Sequence, residues 1–172
     1  AARIIMRQAK RDAIVARNDE ELASATAELN STTSKKGIPP GQVTAYQCDI
    51  TDEESVNALV KTVLAAHGHV DVLVNNAGRS IRRATVNSVD RSHDYHRVMA
   101  VNYFGPVRMV LALLPHWRER RFGHVVNVVT WGVQLKAPKF SAYIASKTAL
   151  DTFSRIAGRE TFFVPGRPPF KL

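Results

Sequence analysis

The stretch Ser141-Ala142-Tyr143-Ile144-Ala145-Ser146-Lys147 is the part of the chain around which the rest is organised. It follows an apolar run at 124–130 that is typical of a buried strand, and it opens a helical pattern. In a helix that begins near Ser141, Tyr143 and Lys147 are four residues apart and share one face. We therefore expect the phenol and the ammonium group to lie within reach of each other.

A lysine beside a tyrosine has a chemical use. A free tyrosine has a pKa near ~10 and is a poor acid–base catalyst at neutral pH. A neighbouring ammonium group favours the phenolate, and each pKa unit is worth roughly 1.4 kcal/mol. A tyrosine tuned in this way can give a proton to a carbonyl oxygen or take one from an alcohol. Taken alone, the pair is equally compatible with a half-buried tyrosine and a solvated lysine.

Three further motifs precede Tyr143 in a particular order. Asn75-Asn76-Ala77-Gly78 follows an apolar strand pattern, Asn102 interrupts a helical pattern, and Thr130 ends the strand that leads to the helix of Tyr143. In this order and spacing the set resembles the short-chain dehydrogenase/reductase family, over about residues 13–159. The segments most similar to the fatty-acyl reductases of bacteria are 76–81, 102–108 and 140–151.

Strand and helix patterns alternate along the chain. Strand patterns lie at 12–16, 43–48, 70–74 and 124–129, and helical patterns of ten or more residues separate them. This alternation predicts an α/β fold with a parallel sheet covered on both faces, and the resemblance implies a Rossmann-like, doubly wound, three-layer α/β/α arrangement. We expect a partial NAD(P)-binding domain at 1–159 and an irregular, proline-rich tail at 160–172.

Local signals fix some of the element boundaries. Asn18 is predicted to cap the first helix, and Thr51 with Glu54 is predicted to form a capping box on the second. Residues 31–42, rich in serine, threonine, glycine and proline, are predicted to form a loop.

Two parts of the family pattern are missing from the sequence. The family opens with a strand and a glycine-rich turn that holds the cofactor pyrophosphate at a helix N-terminus. This chain has neither, and residues 1–8 are expected to form the end of that first helix. The family also continues with a sixth and a seventh strand after the position of residue 159. The sheet is therefore expected to lack its first strand and its last strands, which would leave buried strand edges unpaired.

The resemblance implies hydride transfer between a nicotinamide and a carbonyl or alcohol carbon. In that reaction Tyr143 is the acid–base group, and Lys147 tunes it and contacts the cofactor ribose. Thr130 bonds the substrate oxygen, and Asn102 distorts its helix and belongs to a proton relay. Thr130 stands where the family usually has serine. It keeps the hydroxyl group, but its methyl group stiffens the side chain and crowds the pocket.

The same resemblance assigns a cofactor site. Asp49 and Ile50 end a strand at the edge where doubly wound sheets bind ligands, which makes Asp49 a partner of the adenine amino group and Ile50 a backbone contact. A carboxylate at a helix start is also explained by the helix dipole alone. Arg17 follows the preceding strand, where an arginine suits a 2′-phosphate, so NADP is favoured over NAD. A surface arginine is the alternative. The remaining cofactor-binding positions are Asn76, Ala77, Gly78, Tyr143 and Lys147.

Composition limits the other classes of function. The 172 residues, 45% of them hydrophobic, suffice for one domain with a sizeable core. The single Cys48 excludes an internal disulfide framework and fits a reducing compartment, so we expect a cytoplasmic protein. No apolar run reaches ~18 residues, so we expect no transmembrane segment. No histidine stands at a metal-binding spacing, and we expect no metal.

The net charge of +9 is compatible with a nucleic-acid or membrane-surface partner. The basic residues are dispersed and no nucleic-acid motif is present, so we expect no nucleic-acid partner. An anionic cofactor or an acyl thioester is a second recipient for this charge, and a solvated surface is the simplest explanation.

Two hypotheses for the function remain. The first is an NADP-dependent short-chain oxidoreductase present as a fragment, with a small carbonyl or alcohol substrate and a fatty-acyl or aldehyde compound as one option. The resemblance then also implies a homo-oligomer. The second is a non-catalytic remnant or interaction module without cofactor binding, which the missing phosphate turn favours.

Overall fold

The computed structural model describes residues 2–6, 11–35 and 42–162. The strands are β1 (Ala2–Met6), β2 (Arg11–Ala16), β3 (Gln42–Gln47), β4 (Val72–Asn75) and β5 (His124–Asn127). The α-helices are α1 (Asp19–Lys35), α2 (Glu53–His67), α3 (Ser92–Met99), α4 (Gly105–Arg120), α5 (Gly132–Leu135) and α6 (Ser141–Phe162). A 3-10 turn (Thr85–Asn87) precedes α3, and a π-helical turn (Ala100–Phe104) joins α3 to α4.

The five strands form one sheet in the order β3-β2-β1-β4-β5. β2 is parallel to β3, and β4 is parallel to β5. Because β1 is antiparallel to both β2 and β4, those two strands point the same way. The carboxyl ends of β2, β3, β4 and β5 therefore meet at one edge of the sheet, and helices connect these strands as the predicted α/β fold requires.

Strand β1 corrects the expectation for the N-terminal residues. The prediction of a helix end is wrong for Ala2–Met6, which pair with β2 from Ala2 opposite Val15 to Met6 opposite Arg11. They also pair with Val72–Val74 of β4. Unpaired edges here would leave buried backbone groups without partners, at about 1–3 kcal/mol for each group. The middle of the sheet is therefore filled, but by a strand that runs opposite to the expected first strand.

The first two helices depart from the prediction at their ends. Helix α1 extends to Lys35, so residues 31–35 are helical rather than part of a loop, and 36–41 lie outside the described residues. Asn18 caps α1 as predicted, since its Oδ1 accepts from the backbone N–H groups of Glu20 and Glu21 at 2.8 and 3.2 Å. Helix α2 is capped by Asp52 and not by Thr51. An anionic cap suits the positive helix end better than a hydroxyl group does.

The core lies between the sheet and the helices α2 and α4. Apolar side chains spaced three and four residues apart turn one face of α2 inward, and Gly68 ends that helix in a left-handed conformation (φ 77°). Trp117 of α4 is fully buried, and its indole N–H donates to the carbonyl of Val70 at 2.8 Å. The other fully buried large side chains are Val15, Val56, Val63, Val70, Leu73, Val98, Met109, Leu113 and Leu150.

The helical stretch Ser92–Arg120 spans 29 residues and is long and apolar enough to cross a membrane by length and composition. No transmembrane segment is expected from the sequence. Val98, Met109 and Leu113 of this stretch are fully buried in the fold. Part of its apolar composition therefore belongs to the core, and the absence of a membrane segment stays a prediction.

Strand β5 lies at the edge of the sheet. Its inner side chains Val125 and Asn127 are half-buried, whereas Val126 and the following Val128 are about 40% exposed. No strand follows β5 among the described residues up to 162. Helix α6 continues to Phe162, so residues 160–162 belong to the helix rather than to an irregular tail. The rest of the predicted tail, 163–172, lies outside the described residues.

Candidate active site

The carboxyl ends of β2, β3 and β4 open into a cleft of about 690 Å³. This is the edge at which doubly wound sheets bind their ligands, because connecting loops diverge there. The predicted cofactor residues that line it are Arg17, Asp49, Ile50, Ala77 and Gly78. Asn76 is exposed and is not among the lining residues. Five of the six predicted cofactor positions outside α6 therefore line one common cleft.

Arg17 and Asp49 form an ion pair beside this cleft. Arg17 Nη1 lies 3.8 Å from Asp49 Oδ2, and the two side chains are 66% and 40% exposed. The other carboxylate oxygen of Asp49 accepts from the N–H and the hydroxyl group of Thr51 at 2.9 and 2.8 Å. Burial raises the pKa of Asp49, but these hydrogen bonds and the Arg17 charge outweigh it and hold the pKa below its ordinary value. The cleft therefore presents an ionised carboxylate beside an accessible guanidinium group.

The start of α4 packs closely against Ile50, one of the residues that line the cleft. A Cβ atom at Gly105 would lie 2.7 Å from Ile50 Cδ1 and 3.2 Å from the Ile50 carbonyl oxygen. A side chain at position 105 would force Ile50 or α4 to shift, so glycine lets the start of α4 pack this closely on Ile50, which lies three residues after the end of β3. Gly105 therefore allows α4 to pack against a residue that lines the cleft.

Gly78, Asn102 and Lys147 meet beside the cleft. A Cβ atom at Gly78 would lie 3.5 Å from Asn102 Oδ1 and 3.6 Å from Lys147 Nζ. These residues come from the end of β4, the π-helical turn and α6. Three of the motifs that the sequence places far apart are thus in contact in the fold.

Asn102 is fully buried in the π-helical turn Ala100–Phe104, so the expected helix distortion is present. Its Oδ1 accepts from the backbone N–H of Arg79 at 2.8 Å. Its amide group donates to the Arg79 carbonyl and to Ser146 Oγ, both at 2.9 Å. Both amide hydrogens are therefore engaged, and the side chain fixes the loop after β4 against α6.

Lys147 is buried, with 3% of its surface exposed. Its ammonium group donates to the backbone carbonyl of Val128, just beyond β5, at 2.6 Å. Burial lowers the pKa of Lys147 from its ordinary value because the charged form loses water. Burying a lysine side chain costs free energy of folding, so buried lysines are uncommon. Lys147 is therefore a candidate functional residue.

Tyr143 lies one helical turn before Lys147 and is half-buried. Its ring meets that of Phe140 edge-on, with centroids 6.5 Å apart. Its backbone carbonyl accepts from Ser146 Oγ at 2.7 Å. The first turns of α6 are therefore held on both sides of Tyr143.

Ser146 is a site residue that the sequence analysis missed. It is fully buried and connects Asn102 to the backbone of Tyr143. A signal was available, because Ala142, Ser146 and Leu150 follow at intervals of four and form the buried stripe of α6. A serine on an otherwise apolar stripe indicates a hydrogen-bonded partner inside the fold.

Asn75 joins the two neighbouring strands below the site. Its side-chain amide donates to Asn127 Oδ1 at 2.8 Å, and its backbone carbonyl accepts from Val128 N at 3.0 Å. Asn127 in turn donates to Ser154 Oγ of α6 at 2.7 Å. This chain of bonds holds the start of the Asn75-Asn76-Ala77-Gly78 segment to β5 and α6.

Thr130 lies apart from the cofactor cleft. It lines a second cleft of about 360 Å³ with Val129, Trp131 and Gln134. Its hydroxyl oxygen accepts from the backbone N–H of Gly132 at 3.2 Å. This contact leaves the hydroxyl hydrogen of Thr130 available for donation, and its bond to a substrate oxygen stays a prediction.

A buried carboxylate anchors the loop after β4. Asp94 of α3 lies 3.2 Å from Arg91 Nε, 3.7 Å from Arg83 Nη1 and 3.4 Å from His93 Nε2. The backbone N–H of Arg83 donates to the Lys139 carbonyl at 2.7 Å, just before α6. Asp94 is not predicted from the sequence, because nothing in its sequence context distinguishes it from an ordinary first-turn helix residue.

Comparison with known proteins identifies relatives of this chain. A family profile described as short chain dehydrogenase matches residues 1–162. A fatty acyl-CoA reductase of Acinetobacter baylyi is 46% identical over 147 residues, covering 86% of this chain and 48% of that protein.

Two solved structures have the same fold. A short-chain dehydrogenase from Streptomyces avermitilis superposes with a TM-score of 0.74 at 37% identity, over 87% of this chain and 51% of that one. A metagenomic short-chain oxidoreductase in complex with NADP gives a TM-score of 0.75 at 28% identity, over 86% and 63%. The chain spans about half the length of the curated relatives that it matches. From its fold, its motifs and this match, the chain belongs to the short-chain dehydrogenase/reductase family.

Proposed function

We propose that the chain carries the catalytic and cofactor-binding residues of an NADP-dependent oxidoreductase that interconverts a carbonyl compound and an alcohol. The observation that carries this proposal is the buried Lys147. It lies one turn after Tyr143 and beside Gly78, next to which Asn102 also lies. A fatty-acyl or aldehyde substrate is the finer form of the proposal. It is supported by the likeness to the Acinetobacter reductase.

The residues of α6 account for the proton transfer. Tyr143 donates a proton to the carbonyl oxygen in reduction and accepts it in oxidation. The Lys147 ammonium group stabilises the phenolate that remains, and low local polarity strengthens this attraction. Ser146 and Asn102 fix the helix that presents Tyr143. Thr130 bonds the same substrate oxygen. The nicotinamide, when bound, supplies or accepts the hydride.

The cleft fits the adenosine half of NADP. Arg17 presents an exposed guanidinium group for a 2′-phosphate, Asp49 presents an ionised carboxylate for the adenine amino group, and Ile50 lines the floor. The charge of Arg17 supports NADP over NAD, because an acidic residue at this point would repel the phosphate. The pair at 3.8 Å must separate or share its partners when the phosphate enters.

Ligand-dependent melting tests the cofactor proposal. We expect NADPH to raise the midpoint of a thermal melt of the full chain by a larger amount than NADH does. Arg17→Ser is expected to remove the difference between the two cofactors. Lys61→Gln, an exposed cation on α2, is the control and is expected to leave it unchanged. Equal shifts with both cofactors in the unmodified chain would exclude a 2′-phosphate site at Arg17.

Turnover of an aldehyde tests the chemistry. NADPH consumption with a medium-chain aldehyde is expected in the unmodified chain and is expected to fall at least a hundredfold in Tyr143→Phe, which removes only the hydroxyl group. Unchanged turnover in this variant would assign the proton transfer to another residue.

A second candidate function is a binding module without catalysis. The direction of β1 is the observation that favours it. Where a parallel first strand would deliver its carboxyl end and a glycine-rich turn, the sheet instead presents the amino end of β1, since Ala2 pairs with Val15. A cooperative melt that is indifferent to both cofactors would support this candidate.

Self-association and a cytoplasmic location remain proposals. Phe104, Leu111 and Ile156 are 47%, 55% and 51% exposed on the π-helical turn, α4 and α6. These apolar side chains support a homo-oligomer that buries the two helices, and sedimentation of the chain tests it.

A further inference from the structure

The cleft proposed for the cofactor carries more negative than positive groups. Among the described residues that line it, one is a cation, Arg17, and three are carboxylates, Asp19, Glu21 and Asp49. One positive and three negative charges give the lining a formal net charge of −2, although the whole chain carries +9. The cleft is therefore an acidic place in a basic chain.

The one cation of this lining already has partners. The Arg17 guanidinium group lies 3.8 Å from Asp49 Oδ2. The side-chain amide of Gln47, which also lines the cleft, donates to the Arg17 backbone carbonyl at 3.1 Å. This bond ties the backbone of Arg17 to the end of β3. The attraction for a 2′-phosphate therefore comes from a positioned guanidinium group whose charge is partly offset by Asp49.

The start of α1 does not supply a second positive group. Free N–H groups at a helix start can bind phosphate, because the helix dipole is positive there. Here Asn18 Oδ1 accepts from the N–H groups of Glu20 and Glu21 at 2.8 and 3.2 Å, so two of these donors are occupied. The first turn also carries three acidic side chains, those of Asp19, Glu20 and Glu21. These carboxylates oppose the dipole, and a phosphate gains little from this helix start.

The three acidic residues of this turn differ in their relation to the cleft. All three are exposed, but Asp19 and Glu21 line the cleft and Glu20 is not among the lining residues. Exposed charges act over a Debye length of about 8 Å at physiological salt. A phosphate monoester carries a charge of about −1.5 to −2 at pH 7. A 2′-phosphate in the cleft is therefore repelled by Asp19 and Glu21.

We propose that Asp19 and Glu21 are specificity-determining residues that oppose the 2′-phosphate and reduce the preference for NADP over NAD that Arg17 gives. The 2′-hydroxyl group of NAD is neutral and can donate a hydrogen bond to a carboxylate, so these residues do not penalise NAD. The balance between one guanidinium group and two carboxylates then sets a smaller preference for NADP than Arg17 alone would give. This inference rests on the proposed function, because it refines the proposed cofactor site.

Equilibrium binding of the adenosine half tests the proposal without turnover. The full chain is titrated calorimetrically with adenosine 2′,5′-bisphosphate and with adenosine 5′-monophosphate, which lacks the 2′-phosphate. Asp19→Asn and Glu21→Gln are each expected to raise the affinity for the bisphosphate about threefold, and to leave the affinity for the monophosphate within about 1.5-fold. The double variant is expected to gain about tenfold, because the effects of separate charges add.

Glu20→Gln is the matched control. It removes the same charge from the same helical turn, so it changes the interaction with the helix dipole in the same way. We expect this variant to bind both nucleotides as the unmodified chain does. The gains in Asp19→Asn and Glu21→Gln should shrink in about 0.5 M salt, whereas a gain caused by altered packing of α1 would persist. Circular dichroism of each variant shows that the fold is retained.

Two results would overturn the proposal. Asp19→Asn and Glu21→Gln could bind the bisphosphate no more tightly than Glu20→Gln does. Alternatively, the affinity for the monophosphate could rise by the same factor, which would show that the two carboxylates do not distinguish the 2′-phosphate. If the unmodified chain binds neither nucleotide, the proposed cofactor site itself is wrong and this inference fails with it. The two failures are distinguishable, because the first two results require nucleotide binding and the last one excludes it.

Discussion

Replacing Asn102 by alanine tests the contacts that join the loop after β4 to the π-helical turn and to α6, which we call the junction. The side chain is fully buried and makes three hydrogen bonds, two to the backbone of Arg79 and one to Ser146. Alanine removes all three bonds and leaves the N–H and carbonyl groups of Arg79 without these partners. The substitution should therefore loosen both the loop after β4 and the first turns of α6.

The expected loss of stability follows from these bonds. A buried hydrogen bond contributes about 1 kcal/mol, so three bonds correspond to about 3 kcal/mol. Alanine is the better helix former, which returns about 0.5 kcal/mol. For a domain of this size each kcal/mol moves the melting midpoint by about 2–4 °C, so we expect a decrease of about 5–10 °C.

Differential scanning calorimetry measures this decrease. Asn57→Ala is the matched control, because Asn57 is exposed in the middle of α2. That variant is expected to stay within about 0.5 kcal/mol of the unmodified chain. If Asn102→Ala melts at the same temperature as Asn57→Ala, the junction does not hold the site and the reasoning is wrong.

Three further predictions concern packing and charge. Gly105→Ala is expected to destabilise the chain by about 1–3 kcal/mol in urea unfolding, because its Cβ would overlap Ile50; equal stability would show that α4 can shift. Lys147→Met is expected to abolish turnover and to raise the melting midpoint at neutral pH, because burial lowers the lysine pKa and the charged form costs stability. The unmodified chain regains that cost as the pH approaches the ordinary lysine value of about 10.4, so the advantage of the variant should shrink there, and a constant advantage would contradict this origin. Burial raises the pKa of Asp94, but Arg91, His93 and Arg83 outweigh it, so its pKa is lowered. Its stabilisation should be lost as the pH falls below about 3.9, and melts of Asp94→Asn should lack that loss.

The site was largely predictable because its chemistry depends on short patterns. Three patterns can be recognised without any knowledge of the fold. They are the Tyr143–Lys147 spacing, the Asn75-Asn76-Ala77-Gly78 turn and an asparagine within a helical pattern. Strand ends place their residues at one edge of a parallel sheet, so the meeting of Arg17 and Asp49 follows from topology. Their roles in binding and catalysis stay predictions.

The rest depended on contacts between distant parts of the chain. The direction of Ala2–Met6 is decided by the open edges of β2 and β4, and β4 lies about 70 residues downstream. Periodicity over five residues does not separate a strand from a helix end. The extension of α1 to Lys35 is a tertiary outcome of the same kind, because serine and threonine favour turns locally. The cap at Asp52 was missed because Thr51 matches the capping-box pattern equally well.

Strand β1 has a consequence for how ligands and folding are connected. It is the strip of backbone that joins a parallel pair, β2 and β3, to a second parallel pair, β4 and β5, and only three residue pairs connect it to β4. β1 is therefore a boundary between two parallel halves of the sheet, which we call the seam. Arg17 and Asp49 lie on one side of it, and Asn102 and Lys147 are anchored to the other. A dinucleotide that reaches both groups would bridge the seam, so amide hydrogens along β1 should exchange more slowly when the cleft is filled.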